Sequence, residues 1–173
     1  MFAPCASDGT RTPTAGLVNL VTDAQIPLFP APQTQATSDD YYTPAWIFER
    51  MGIEFDLDVA APPGGIPWVP AKRYFTMEDD GLSQPWEGRV WMNPPFSKPS
   101  PWARKFIEHR HGVALVPHSK SAWHIALWEA ADGCAMPGAG YFPFTGGWIS
   151  IPVWFAAFGA DCVEAISRLG RVR

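Results

Sequence analysis

Features that define several whole classes of protein are missing from this 173-residue sequence. Every apolar run is far shorter than the roughly 20 residues that span a bilayer, and the N-terminus lacks the basic and apolar regions of a signal peptide. The three cysteines, Cys5, Cys134 and Cys162, are widely spaced and form no C-x-x-C pair, which disfavours a disulfide framework and a metal centre. We therefore expect a soluble cytoplasmic protein with free thiols, no bound metal and no membrane partner.

The charged fraction is also low, at 17%, whereas hydrophobic residues make up 47% of the chain and aromatic residues 14%. This apolar content argues against a wholly disordered chain despite 19 prolines and 15 glycines. The length suits one hydrophobic core. Residues 1–38 are rich in Thr, Pro, Ala and Gln and show no period, so we expect a flexible N-terminal arm over 1–38 and a single domain over 39–173.

The net charge of −4 hides a segregation along the chain. Residues 1–88 carry twelve acids against four bases, a net −8, and residues 89–120 carry six bases against Glu108, a net +5. A basic segment of this kind is typical of nucleic-acid contacts, although an ordinary solvated face explains it equally well. Both interpretations stay open from charge alone.

Hydrophobic patterning predicts an α/β protein. Thr43 is a candidate N-cap, with Pro44 at the first position of a helix that stops at Gly52. Alternation over 53–59 predicts a strand on which Asp56 and Asp58 share a face. Four prolines and two glycines make 60–71 a loop, with no clear second strand after it.

The second half continues the pattern. We predict a strand over 89–92, a helix capped by Ser100 and ended by Gly112, a buried strand over 112–117, a helix over 121–131, a hairpin over 134–158 and a last helix capped by Asp161. Strands alternating with helices favour a mostly parallel sheet, here with an antiparallel C-terminal hairpin.

The most informative motif is Asn93-Pro94-Pro95-Phe96, directly after a predicted strand. The prolines fix the turn, so the Asn93 side-chain oxygen and the Pro94 carbonyl can form a pair of acceptors beside the Phe96 ring. Such a pair suits a planar amino group, whose nitrogen becomes tetrahedral as it attacks, and the ring can stack on a base. The simpler interpretation is an Asn-Pro turn with a buried Phe.

Four segments in order carry a resemblance to a known family. They are Tyr42-Thr43-Pro44, then Phe55-Asp56-Leu57-Asp58-Val59-Ala60-Ala61, then Lys72-Arg73-Tyr74-Phe75-Thr76 with Asp79-Asp80-Gly81-Leu82, and Trp86 through Asn93-Pro94-Pro95-Phe96-Ser97. Together they resemble the phage DNA N-6-adenine methyltransferases. The resemblance implies a Rossmann-like methyltransferase fold with a reduced sheet, S-adenosylmethionine as cofactor, and transfer to the N-6 amine of adenine in DNA by an adenine-specific enzyme, phage- or prophage-encoded in a bacterial host.

The resemblance also implies residue roles. Asn93, Pro94, Pro95 and Phe96 are the catalytic turn. Expected cofactor contacts are Tyr42, Thr43 and Pro44 near the methionine end, Asp58 and then Asp56 near its amino group or ribose, and Asp80 at the adenine amino group. Expected substrate contacts, drawn from the turn, the basic segment and the end of a strand, are Ser97, Lys98, Arg104, Lys105 and His118.

The sequence departs from the pattern of methyltransferases in two ways, and alternative functions therefore stay open. Ala60-Ala61-Pro62-Pro63-Gly64-Gly65 stands where methyltransferases have a glycine-rich turn, which leaves the ribose contacts undefined and allows a non-catalytic nucleic-acid-binding or defence-blocking module. A protein glutamine methyltransferase uses a similar turn on a planar amide. The chain has no segment for a separate target-recognition domain, so we expect a short, degenerate target or a homodimer that shares the reading.

Overall fold

A computed structural model describes residues 42–137 and 152–173. The predicted arm over 1–38 and most of the segment that joins the two strands of the predicted hairpin lie outside the described residues. In the described ranges, no helix is long and apolar enough to cross a membrane.

Six strands in the described ranges form one sheet, and across the sheet they follow the order β2 (Ala71–Tyr74), β1 (Phe55–Asp58), β3 (Val90–Met92), β4 (Gly112–Pro117), β6 (Val153–Phe158) and β5 (Gly133–Ala135). The first four strands in this order pair in parallel. Their carboxyl ends therefore meet at one edge of the sheet, where ligand sites of open α/β folds lie.

The remaining strands, β5 (Gly133–Ala135) and β6 (Val153–Phe158), are antiparallel to each other, and β6 is antiparallel to β4. The predicted pairing of the C-terminal hairpin is confirmed. The helices are α1 (Ala45–Met51), α2 (Pro99–His109), α3 (Ala122–Ala130) and α4 (Ala160–Ser167). This is the reduced Rossmann-like methyltransferase fold with a mostly parallel sheet that the sequence predicts.

Two hydrophobic clusters cover the sheet. One joins α1 and α4 to Phe55, Trp91 and Phe155, and the other joins α2 and α3 to Met92 and Trp154. The strands β3, β4 and β6 are buried along their whole length. The apolar residues of these strands are continuous in the sequence because both faces of the sheet are covered there.

The predicted caps of three helices are wrong by one or two residues. Helix α1 begins at Ala45 after Pro44, and Thr43 is buried instead of capping the helix. Helix α2 begins at Pro99, since proline needs no hydrogen-bond partner in the first turn, and this places Ser100 inside the helix. Asp161 lies in the first turn of α4 and binds Arg89.

Strand β2 is an element that sequence patterning missed. It is an edge strand whose last three side chains, Lys72, Arg73 and Tyr74, are exposed, so its sequence has no hydrophobic alternation to reveal it. The charged side chains are typical of edges that resist pairing with another sheet.

Candidate active site

A cavity of about 300 Å³ lies at the carboxyl edge of the sheet, between the ends of β1 and β3. Its lining includes five residues predicted as site residues from separate parts of the chain: Tyr42, Thr43, Asp58, Asn93 and Pro95. The loop after β1 completes the lining with Ala60, Ala61, Pro62, Pro63, Ile66 and Val69, together with Met77 and Trp91. The Ala-Ala-Pro-Pro sequence thus occupies the place of the missing glycine-rich turn.

The carboxylate of Asp58 is the main charge in this cavity. It is 3% exposed, forms no ion pair among the described residues, and accepts a hydrogen bond from the Ala60 N–H at 3.2 Å. Burial raises the pKa of Asp58 from 3.8 to about 7, against the lowering effect of that hydrogen bond. A cation that enters the cavity would therefore neutralise a buried carboxylate.

Thr43 is the second polar residue of the cavity. In the described residues, Thr43 and Asp58 are the two polar or charged residues that are buried, and both line this cavity. The Thr43 hydroxyl has no hydrogen-bond partner among the described residues. The backbone carbonyl of Thr43 accepts a hydrogen bond from the Trp68 indole at 2.8 Å. Pro44, predicted beside it, precedes α1 and does not line the cavity.

Asp56 is not brought to the cavity with Asp58. Its carboxylate forms an ion pair with Lys72 at 2.8 Å and accepts the Arg89 backbone N–H at 2.8 Å. These contacts, the Lys72 hydrogen bond first, lower the pKa of Asp56. The close approach requires Gly88, with φ +67°, because a Cβ there would lie 2.3 Å from the carboxylate. Asp56 is therefore a structural acid that joins β1 to β2 and β3.

A second cavity of about 170 Å³ adjoins the first and shares Ala60, Ala61, Met77 and Pro95 with it. Its other lining residues are Thr76, Asp80, Gly81 and Trp102, so the structure places the predicted Asp80 there. The sequence did not identify Met77 and Trp102 as site residues, because a methionine in a loop and a tryptophan on a helix show no spacing that indicates a binding site.

The Asn-Pro-Pro-Phe turn follows β3 directly, as predicted. Asn93 and Pro95 line the main cavity, and the side-chain oxygen of Asn93 is buried. Pro94 is buried, and the half-buried Phe96 packs against the cluster that contains Trp91. The Phe96 ring is outside the lining of both cavities, so its predicted stacking role depends on a base that enters beside the turn.

The residues predicted to contact DNA near the turn fall into two groups. Ser97, Lys98 and Arg104 are exposed beside the turn, and neither Lys98 nor Arg104 forms an ion pair within the described ranges. Lys105 points elsewhere. Its ammonium donates to the carbonyls of Gly81 and Leu82 at 3.2 and 2.6 Å, so it is not arranged to contact phosphate.

His118 follows β4 at the same edge of the sheet, within a group of rings that sequence analysis did not find. Its ring centroid lies 5.2 Å from that of His124 and 6.3 Å from that of Trp154. The Nε2 atoms of both histidines and the Trp154 indole nitrogen are buried without a hydrogen-bond partner in the described part of the chain. Burial lowers the pKa of His118 and of His124, which favours neutral rings.

Candidate metal ligands converge at one place in the described ranges, where atoms of His111, Asp161 and Cys162 lie within 4.8 Å of one another. The Arg89 guanidinium binds the Asp161 carboxylate there, and burial raises the pKa of Cys162 to about 12. A protonated thiol and a paired carboxylate are poor metal ligands.

Comparisons with known proteins agree with these features. The family model for DNA N-6-adenine-methyltransferase (Dam) matches residues 31–144. A DNA N-6-adenine-methyltransferase of Haemophilus phage HP1 is 35% identical over 78 residues, which cover 42% of this chain and 43% of that relative. The match thus spans less than half of the relative's length. No solved structure matches the chain.

Proposed function

The chain belongs to the DNA N-6-adenine-methyltransferase (Dam) family, and from that premise we propose that it transfers a methyl group from S-adenosylmethionine to the N-6 amine of adenine in DNA. One observation carries the proposal: Thr43 and Asp58, the two buried polar residues in the described part of the chain, line the same cavity as Asn93 of the Asn-Pro-Pro-Phe turn. A polar cavity for a cationic cofactor and an acceptor for an amine therefore lie side by side.

The residues present fit the cofactor. Asp58 can neutralise the ammonium or sulfonium group of S-adenosylmethionine, since its buried carboxylate has no ion-pair partner in the described residues. Thr43 offers to the same end a hydroxyl that has no hydrogen-bond partner among residues 42–137 and 152–173, with Tyr42 beside it. The adjoining cavity suits the adenine, with Asp80 as acceptor for its amino group and Trp102 and Met77 as apolar walls.

The chemistry that the cofactor supplies when bound is an electrophilic methyl group on a positively charged sulfur. We propose that Asn93 and the Pro94 carbonyl accept hydrogen bonds from the adenine amine, which holds the nitrogen lone pair toward that methyl group. The bound cofactor would supply its methyl group to that nitrogen and leave as S-adenosylhomocysteine, and the methylated amine would lose one proton to solvent. Phe96 stacks on the base after it is flipped from the duplex, at a cost of a few kcal/mol.

The exposed bases beside the turn supply the DNA contacts. Lys98 directly precedes α2 and Arg104 lies in the middle of that helix, and with Ser97 they can bind phosphates that flank the flipped base. We further propose that residues 39–173 are one methyltransferase domain that acts in the host cytoplasm. A homodimer that shares target recognition stays a proposal.

Cofactor binding, together with methyl transfer measured on two substrates, tests the proposal. Wild type should bind S-adenosylmethionine by calorimetry and label adenine in DNA, but not a glutamine peptide, with radioactive methyl groups. Cofactor binding without labelling of DNA would favour the glutamine alternative if the peptide were labelled. DNA binding without cofactor binding would establish the non-catalytic module, which the Ala60-Ala61-Pro62-Pro63 turn in place of glycines otherwise favours.

A further inference from the structure

The side chain of Lys105 reaches from α2 to a loop that borders the second cavity. Its ammonium donates hydrogen bonds to three backbone carbonyls of that loop: Gly81 at 3.2 Å, Leu82 at 2.6 Å and Gln84 at a short distance. The same ammonium lies 5.0 Å from the centre of the Trp86 ring. Three carbonyls and an aromatic face together surround one ammonium group, so these contacts hold the Lys105 side chain against this loop.

At Gly81 the loop lies directly against the residue that follows β1. A Cβ on Gly81 would lie 2.2 Å from the Val59 carbonyl, and Gly81 is buried at the wall of the second cavity. The Trp86 indole donates to the Gly81 carbonyl at 2.8 Å, and Ser83 donates its backbone N–H to the Asp80 carbonyl at 2.8 Å. Asp80 itself has a left-handed backbone, with φ 50°.

A left-handed conformation at a residue other than glycine is retained where surrounding contacts hold it. Gly81 and Leu82 directly follow Asp80, and the Lys105 ammonium donates hydrogen bonds to the carbonyls of both residues. These hydrogen bonds are contacts that can hold the backbone conformation of Asp80. We propose that Lys105 is a positioning residue for the cofactor: it holds the Asp80–Gly81 wall in the shape that receives the adenine end. This inference rests on the proposed function and removes Lys105 from the proposed DNA contacts.

The neighbouring residue provides a matched control. Arg104 has the same charge and is adjacent in α2, but it is exposed and forms no ion pair in the described residues. Lys105→Met should raise the Kd for S-adenosylhomocysteine at least about tenfold, because hydrogen bonds of a charged group order the cavity wall. Arg104→Met should leave that Kd within about twofold.

Two measurements separate positioning from general damage. Binding of 5′-methylthioadenosine, which lacks the amino-acid end, should weaken by the same factor as binding of S-adenosylhomocysteine, and Lys105→Arg should recover part of the loss. Hydrogen exchange of the cofactor-free protein should quicken over 79–84 in Lys105→Met and not in Arg104→Met. Where Lys105→Met does not fold, Trp86→Phe removes another bond to Gly81 and should act in the same direction.

An unchanged Kd in folded Lys105→Met would overturn the inference while leaving the proposed function intact. A loss confined to S-adenosylhomocysteine, with 5′-methylthioadenosine unaffected, would overturn the placement at the adenine end. Failure of the wild-type protein to bind either compound would overturn both the inference and the proposed function.

Discussion

The buried carboxylate of Asp58 predicts that replacing this residue changes the stability of the protein by an amount that depends on pH. Its pKa is about 7 in the folded protein and 3.8 in an ordinary setting, because burial disfavours the charged form. Between these values the folded state holds a proton that the unfolded state releases, so Asp58 lowers stability as pH rises from about 4 to about 7. Above pH 7 the cost is fully present.

The size of the effect follows from the pKa difference. A shift of about three pH units corresponds to about 4 kcal/mol of cost for the ionised form, to order of magnitude. Asp58→Asn removes that charge but leaves a buried amide, which costs about 1 to 3 kcal/mol if it lacks partners. We therefore expect the substitution to stabilise the cofactor-free protein by about 1 to 3 kcal/mol at pH 8 and not at pH 4.

Thermal unfolding at pH 4 and pH 8 measures this. For a chain of this size, 1 kcal/mol shifts Tm by about 2 to 4 °C. Asp79→Asn is the matched control: Asp79 is exposed, and hydrogen bonds from the Thr76 N–H and hydroxyl lower its pKa. Its replacement should decrease stability at pH 8, opposite to Asp58→Asn. An Asp58→Asn protein that is less stable than wild type at pH 8 would refute the reasoning.

Cofactor affinity provides the second readout for Asp58. A bound cation favours the ionised carboxylate, so binding below pH 7 must release a proton, and affinity should fall by up to about tenfold per pH unit there. Asp58→Asn should bind S-adenosylmethionine more weakly at pH 8, with little dependence on pH. Identical pH profiles for the two proteins would show that Asp58 does not meet the cation.

Three further perturbations test the rest of the proposed site. Asn93→Ala should retain cofactor affinity and lose about 100-fold or more in methyl transfer, because an acceptor for the attacking amine is removed; wild-type turnover would contradict this role. Phe96→Tyr should keep the KM for DNA and Phe96→Leu should raise it, since stacking needs a flat ring; equal values would mean that Phe96 only packs. Charge reversal at Lys98 and Arg104 should reduce the logarithmic salt dependence of DNA binding by about 0.9 per lost phosphate contact, and an unaltered slope would leave both as solvated charges.

The position of the candidate site at the carboxyl edge of the sheet was predictable because it follows from chain order. Asp58 and Asn93 each lie at or directly after the end of a strand, and parallel pairing of β1 and β3 brings those ends together. Chain order did not show which of the two acids, Asp56 or Asp58, lines the cavity. Alternation puts both acids on one face, whereas the contacts that engage Asp56 come from Lys72 and from Arg89, residues distant in sequence.

The direction of the basic residues was the least predictable feature. A count of charge treats Arg104 and Lys105 alike, but successive residues on an α-helix point about 100° apart. Arg104 therefore faces solvent, while Lys105 faces the loop over 81–84. The carbonyls that engage Lys105 are backbone groups, and their arrangement depends on the fold of that loop, which no side-chain pattern in the sequence records.

The distribution of buried polar groups explains why the site sits where it does. Both faces of the sheet are closed by apolar clusters, which supply the free energy that offsets unfavourable groups elsewhere. Two such groups, the carboxylate of Asp58 and the hydroxyl of Thr43, lie at the carboxyl edge and outside those clusters. Each costs stability in the free protein, and a cationic ligand that pairs with them recovers part of that cost on binding. Cofactor binding should therefore raise the Tm of wild type, and the increase should shrink in Asp58→Asn, although that variant begins from the more stable free state.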